Sequence, residues 1–408
     1  MLDYLIWSTL AFGIIILALV SLIILVKKNV IGESDCEITI NGKGDPIVVA
    51  SGSNLLTALS TQNIFLPSAC GGGGTCAMCK CQVQEGGGDI LPTETGFISR
   101  GEQKENYRLA CQVKVRENMK IDIPEEIFNI QKFECTVRSN HNVATFIKEL
   151  VLELPKGVDL NFEAGGYVQI DVPEQKINFS DFEVDKEYHP DWDKYKLWNL
   201  KCDIDEPIFR AYSMANHPAE GNIVMLNIRI ATPPPRDMTL PPGKCSSYVF
   251  NMKEGDKVTI SGPYGEFFIK DSKREMVYVG GGAGMAPMRS HIYHLFHTLK
   301  TTDRKVSFWY GARSKREMFY DEEFKAIAKD FPNFSYNVAL SEAQPEDDWT
   351  GPKGFIHQAL YDNFLKNHEE PEEIEYYLCG PPMMIDAVQG KLDDLGVPEE
   401  MIAFDSFG

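Results

Sequence analysis

CGGGGTCAMC at residues 70 to 79, followed by RLACQV at 108 to 113, places Cys70, Cys76, Cys79 and Cys111 in the spacing C-x5-C-x2-C with a distant fourth cysteine. Two irons bridged by sulfide need four thiolates converging on a small volume. Three must come from one tight loop and the fourth from a segment folded back against it. Gly71 to Gly74 let the backbone take positive φ and pass close to such a group with no Cβ in the way, aiming N–H groups at its sulfurs. These four cysteines are therefore expected to ligate a [2Fe-2S] cluster. A zinc ribbon favours two C-x2-C pairs, whereas this segment has one, and zinc has no use for the glycine run. A disulfide framework is disfavoured wherever thiols stay reduced. Cys81 is expected to lie on the strand after the loop and to take no part in ligation.

With 408 residues the chain suits several domains rather than one. A net charge of −19 argues against nucleic acid as a partner, because phosphate binding needs an electropositive surface. Leu5 to Val26 (LIWSTLAFGIIILALVSLIILV) carry no charge over 22 residues, enough at about 1.5 Å per residue to cross a hydrocarbon core of roughly 30 Å. A cleaved signal peptide would need a basic leader and an A-x-A site. A single-pass membrane anchor is expected, with Lys27 and Lys28 placing the remainder in the cytoplasm.

The segment from Cys36 to Glu125 runs strand, strand, a short helix opened by Ser53, the cysteine loop, and a last strand stopping at Pro124. This order resembles the β-grasp [2Fe-2S] ferredoxin, and the cysteine spacing resembles its adrenodoxin-like variant. From about Phe133 the pattern alternates as antiparallel strands do. Within it RAYSMAN (210 to 216) resembles the R-x-Y-S motif of the ferredoxin-NADP+ reductase superfamily, and PPGKCSS (241 to 247) its G-x-x-S phosphate element. The resemblance implies FAD, with Arg210 on the pyrophosphate, Tyr212 stacked on the isoalloxazine and Ser213 hydrogen-bonded near N5. Guanidinium suits phosphate and an aromatic face suits a ring, so the residue types agree. Gly243 would allow close backbone approach, and Ser246 would offer a hydroxyl at a helix N-terminus. A polar stretch at about 174 to 206, carrying Trp192 and Trp198, reads as an insertion, either a partner-docking surface or a self-packed cap.

MVYVGGGAGMAPMRSHIYHLF (276 to 296) reads as an apolar strand, a glycine turn and a helix. Gly280, Gly281, Gly282 and Gly284 let a pyrophosphate approach the helix N-terminus, and Pro287 fits the first turn. KVSFWYGAR (305 to 313), NFSYNVALS (333 to 341) and EYYLCGPPMM (375 to 384) read as further buried strands of a doubly wound parallel sheet. By the same family resemblance Cys379, Gly380 and Pro381 lie near the nicotinamide of NADH, and Phe407, with Phe404 as fallback, shields the flavin. Arg313, Lys315 and Arg316 leave room for a 2′-phosphate, although NADH is favoured. His291, His294 and His297 drift around a helix and are expected to be structural.

The expected layout is thus a multidomain chain: a transmembrane helix at 1–30; an α+β β-grasp [2Fe-2S] domain at 31–127; an FAD-binding antiparallel β-barrel at 128–270; and an α/β doubly wound NADH-binding domain at 271–408. Nicotinamide gives up two electrons as hydride, an iron–sulfur cluster takes one, and FAD handles both, so the combination converts one currency of electrons to the other. One anchor followed by this order, with YGARSKREMFY (310 to 320) and the DSFG end, resembles the family of F subunits of the Na+-translocating NADH:quinone reductases. That resemblance implies a hetero-oligomer with other membrane subunits of the bacterial inner membrane, with ubiquinone as final acceptor and sodium export as the coupled work. Quinone and sodium enter through it alone. The rival readings are a membrane-tethered reductase component of an oxygenase and a non-catalytic redox scaffold, the latter disfavoured because the nucleotide motifs and ligands are intact.

Overall fold

The computed structural model describes residues 7, 9–21, 35–234 and 236–406. Residues 9–21 are helical. Among the described residues no helix is long and apolar enough to cross a membrane, and positions 5, 6, 8 and 22–26 of the expected span at 5–26 lie outside them, as does Phe407. The chain divides into two compact units at residues 130 and 131.

In the first unit, β1 (Asp35–Ile40), β2 (Lys43–Ala50), β3 (Lys80–Glu85), β4 (Tyr107–Leu109) and β5 (Met119–Asp122) form one sheet in the order β2-β1-β5-β3-β4. β1 and β5 run parallel and every other pair antiparallel, the mixed topology of a β-grasp. The helix Leu55–Thr61 buries Leu55, Leu56, Ala58 and Leu59. Its cap is Asn54 rather than Ser53, because the Asn54 side chain accepts from the N–H of Thr57.

The second unit opens with six antiparallel strands: β6 (Gln131–Ala144), β7 (Ile147–Glu153), β8 (Tyr167–Val172), β11 (Ile208–Ser213), β12 (Ile223–Arg229) and β13 (Lys257–Tyr264). Their order is β11-β8-β13-β6-β7-β12, and a Met214–Leu226 bridge joins the two ends, closing a barrel. The stretch expected as an insertion is ordered. It holds the hairpin β9 (Gln175–Asn178) and β10 (Lys201–Ile204) and the helix His189–Lys194. Trp192 is fully buried among Phe179, Phe182 and Phe250, and its indole N–H donates to the Thr145 carbonyl at 3.0 Å. Of the two readings the self-packed cap is the one built: aromatic burial supplies the order that periodicity did not announce.

The parallel sheet follows, with β14 (Met276–Gly281), β15 (Val306–Ala312), β16 (Phe334–Leu340), β17 (Glu375–Gly380) and β18 (Ile402–Ser406) in the order β16-β15-β14-β17-β18. Tyr278, Phe308 and Tyr377 pack on one face, and Val277, Val279, Trp309 and Leu378 on the other. Burial on both faces explains why these strands read as unbroken apolar runs. Barrel and sheet are joined by buried polar contacts: Arg289 reaches both carboxylate oxygens of Glu220 at 2.7 and 2.8 Å and the Ala215 carbonyl at 2.9 Å. The Ser290 hydroxyl donates to the Asn216 carbonyl at 2.8 Å.

Candidate functional site

In the cysteine loop Gly71, Gly72 and Gly74 take positive φ, while Gly73 does not. The loop needs no side chain there, and a Cβ on Gly73 would lie 3.9 Å from the Cys70 sulfur. The four thiols fall into two pairs. Cys76 and Cys70 sulfurs are 3.3 Å apart, and Cys79 shares a hydrogen bond with Cys111. The hydrogen bond from Cys76, together with N–H groups of Thr75 and Cys76, draws the Cys70 thiol well below its ordinary range. That of Cys111 falls to about 7, led by its bond to Cys79, with the Gln112 side chain and the Gly74 backbone adding to it. Among the described residues no three His, Cys, Asp or Glu are grouped to hold a single metal ion. Two pairs presenting N–H-supported sulfurs fit a group with two irons, one pair to each.

Cys81 lies on β3, buried, its thiol pushed up to about 12 by burial beside Arg108 and Glu94. Those two form a buried pair that sequence reading missed. Arg108 donates to Glu94 through Nε and Nη2, at 2.7 Å for the shortest, and through Nη1 to the carbonyls of Gly87 and Gly88, at 2.8 Å each. Glu94 also accepts the Leu109 N–H at 2.9 Å, two residues before Cys111.

In the second unit Arg210, Tyr212 and Ser213 end β11 at the barrel's closing seam. Arg210 is half-buried, and one of its guanidinium nitrogens donates to the Phe209 carbonyl at 2.7 Å. Tyr212 shares a hydrogen bond with Cys245, and burial pushes its phenol well up. Gly243 is the N-cap of the helix Lys244–Asn251. A Cβ there would stand 2.7 Å from the Ala231 Cβ and 2.9 Å from the Ser246 hydroxyl, so only glycine fits. The Ser246 hydroxyl is turned inward, accepting from the Ala231 N–H and donating to the Gly243 carbonyl, each at 3.1 Å. It fastens the turn, leaving the first-turn N–H groups to face an anion.

Ser213 donates to Asp405 Oδ2 at 3.0 Å. Asp405 stands on β18 in register with Cys379 on β17, so the three side-chain positions meet where barrel and sheet join. Asp405 was not singled out by sequence, although the DSFG end was. Cys379 is fully buried, and burial pushes its thiol well above the ordinary range. Gly281, Gly282, Gly284 and Pro287 form the turn from β14 into the helix Met285–Tyr293. A Cβ on Gly284 would lie 2.1 Å from the Cys379 carbonyl oxygen. The glycine turn and CGPP are thus pressed together, with the Met384 side chain laid against Gly281 and Gly380.

Phe404, the fallback shield, sits on β18 and is exposed by half. The basic trio after β15 is largely engaged: Arg313 pairs with Glu317 at 3.2 Å, and Arg316 pairs with Asp191 of the cap. Both arginine side chains stay about two-fifths exposed. Of the three histidines, His294 is half-buried and His297 exposed. His291 is fully buried with its Nε2 3.0 Å from the Phe267 carbonyl, and the helix loosens to π geometry from His294.

Three family models match: the 2Fe-2S iron-sulfur cluster binding domain over residues 38–116, the oxidoreductase FAD-binding domain over 194–269 and the oxidoreductase NAD-binding domain over 278–390. The structure resembles the ferredoxin reductase in carbazole 1,9a-dioxygenase (TM-score 0.60, 26% identity, 92% of this chain and 99% of that one). It shares its fold with an Amycolatopsis cytochrome P450 reductase (TM-score 0.63, 22% identity, 91% and 98%). Fold, site and matches together define an oxidoreductase that joins a [2Fe-2S] ferredoxin to FAD- and NAD-binding domains. The F subunit of the Na(+)-translocating NADH-quinone reductase of Idiomarina loihiensis is 54% identical over 97% of both chains, and that of Haemophilus influenzae 56% identical over 98% of this chain and 97% of its own. The chain belongs to the family of F subunits of the Na(+)-translocating NADH-quinone reductase.

Proposed function

We propose that this chain is the electron-input subunit of a sodium-pumping respiratory complex, oxidising NADH and passing single electrons onward to other subunits and ubiquinone. Full-length identity to these F subunits carries this reading. Flavin, when bound, takes a two-electron hydride and releases electrons singly, which is the chemistry the two flanking carriers require.

The chain's own residues are assigned as follows. Cys70, Cys76, Cys79 and Cys111 hold the two irons. Arg210 and the N-terminus of Lys244–Asn251, shaped by Gly243 and Ser246, hold the FAD pyrophosphate. Tyr212 supports the ring, with Phe407 as its expected shield. Gly281, Gly282, Gly284 and Pro287 receive the NADH pyrophosphate, while Cys379, Gly380 and Pro381 line the nicotinamide. Ser213, held by Asp405, positions a hydroxyl at the reacting end. Residues 1–30 anchor the chain in the inner membrane by one pass, with the catalytic domains in the cytoplasm.

The test is NADH-driven quinone reduction in native membrane vesicles, with and without Na+, comparing wild type with a strain lacking this chain. Sodium-stimulated activity that disappears with the chain is expected. Unchanged quinone reduction would overturn the respiratory reading and direct the search to an oxygenase partner.

A further inference from the structure

The Gln112 side chain lies between a proposed cluster ligand and a surface hydroxyl. Its Nε2 stands 3.6 Å from the Cys111 sulfur, and its Oε1 stands 3.1 Å from the Thr93 hydroxyl, which donates to it. A thiolate only accepts hydrogen bonds, so the amide must turn its N–H toward the sulfur and leave its oxygen to Thr93. The fold reserves space for this arrangement. A Cβ on Gly74 would lie 2.5 Å from Gln112 Nε2, so the glycine at that point, besides taking positive φ, is what lets the amide reach in.

We propose that Thr93 and Gln112 form a two-residue relay that raises the reduction potential of the [2Fe-2S] cluster by hydrogen bonding to the Cys111 sulfur, with Gln112 as the donor and Thr93 as the group that fixes its orientation. This rests on the ligand assignment of Cys111. Reduction adds negative charge shared with the ligand sulfurs, and a fixed N–H dipole stabilises the charge-rich state more than the charge-poor one. Cys70 has side-chain neighbours within its own loop, Thr75 and the Ser68 hydroxyl at 4.0 Å, whereas Gln112 acts on Cys111 from outside that loop, so a substitution there can remove the donor without redrawing the loop. Both residues are positioning residues and do not themselves carry electrons.

The test is an EPR-monitored redox titration of the full-length protein. Gln112→Leu keeps the side-chain bulk and removes the donor. Its expected effect is a shift of the oxidised-to-reduced equilibrium of up to about tenfold toward oxidised, which for one electron is a potential lower by up to about 59 mV. Thr93→Val should shift it in the same direction by less, with cluster content unchanged. Gln112→Glu, which replaces an N–H donor with a carboxylate, should lower the potential further than Gln112→Leu. An unmoved potential in Gln112→Leu or, should that variant lose its cluster, in Thr93→Val would overturn the relay. The ligand assignment fails separately: Cys111→Ser with an unaltered cluster signal would refute it whatever Gln112 does.

Discussion

Ser213 and Asp405 are separated by 192 residues, and the serine hydroxyl donates to the carboxylate at 3.0 Å. One closes the barrel and the other lies on the last strand of the parallel sheet, so this bond forms only when both are folded and docked. Burial pushes the Asp405 carboxyl above the ordinary range, with the Ser213 hydrogen bond opposing. An acid so raised costs stability once pH exceeds its unfolded value, because the folded state then holds a proton the unfolded state has released. Asp405→Asn is therefore expected to melt at a higher temperature at pH 7 while reducing the rate of flavin reduction by NADH about tenfold or more. Thermal denaturation and stopped-flow flavin bleaching check the two halves. A variant that is both less stable and equally fast would refute the assignment.

His291 should give the second unit an acid limit. Burial lowers it from 6.5 to about 4, so the native state keeps it neutral. Its contribution is fully present above pH 6.5, falls as the unfolded state alone takes up the proton, and is lost by about pH 4. At 1.36 kcal/mol per unit the whole effect is about 3 kcal/mol. His291→Gln is expected to flatten the slope of melting temperature between pH 6.5 and 5, measured by calorimetry.

Gly284→Ala puts a methyl 2.1 Å from the Cys379 carbonyl oxygen, a backbone atom that cannot turn aside. The helix must shift off β17, at a cost of about 1–3 kcal/mol. NADH affinity should fall at the same time, because the shifted turn is the one proposed to receive the pyrophosphate. Isothermal titration and denaturant unfolding report the two effects, and native affinity in a destabilised variant would separate the turn from the site.

Removing one partner of the Glu94–Arg108 pair strands a buried charge, for which about 3–5 kcal/mol is the usual loss. Glu94→Ala should destabilise the ferredoxin unit by that amount and lower cluster occupancy, because the Leu109 N–H and the strand leading to Cys111 lose their anchor. Denaturation followed by cluster absorbance tests this, with NADH reduction of flavin expected to persist.

The local order of elements was legible in the sequence. Thiolate spacing marks a candidate chelating loop, and its glycine run permits the positive φ that Gly71, Gly72 and Gly74 adopt. Unbroken apolar runs such as MVYVGG report a strand buried on both faces. Each of these is a short-range property, a bond geometry or a periodicity, and any reader of the chain can count it. The segment at 174 to 206 resisted such counting. Its order comes from Trp192 packing on Phe250 of the helix Lys244–Asn251, a contact between residues distant in sequence that no local pattern encodes.

What the sequence alone determined is most of the elements outside 174 to 206, the cysteine and glycine spacing of the loop and the residue types at each candidate site. What only the tertiary structure decided is which of them meet. Asp405 reaches Ser213, Arg108 reaches Glu94, Arg316 is taken by Asp191 and the Ser246 hydroxyl turns inward. These pairings depend on strand order, register and docking, which arise from burying many distant side chains together, and hydrogen-bonding groups left in that interior must then find whichever partner the packing brings within about 3 Å.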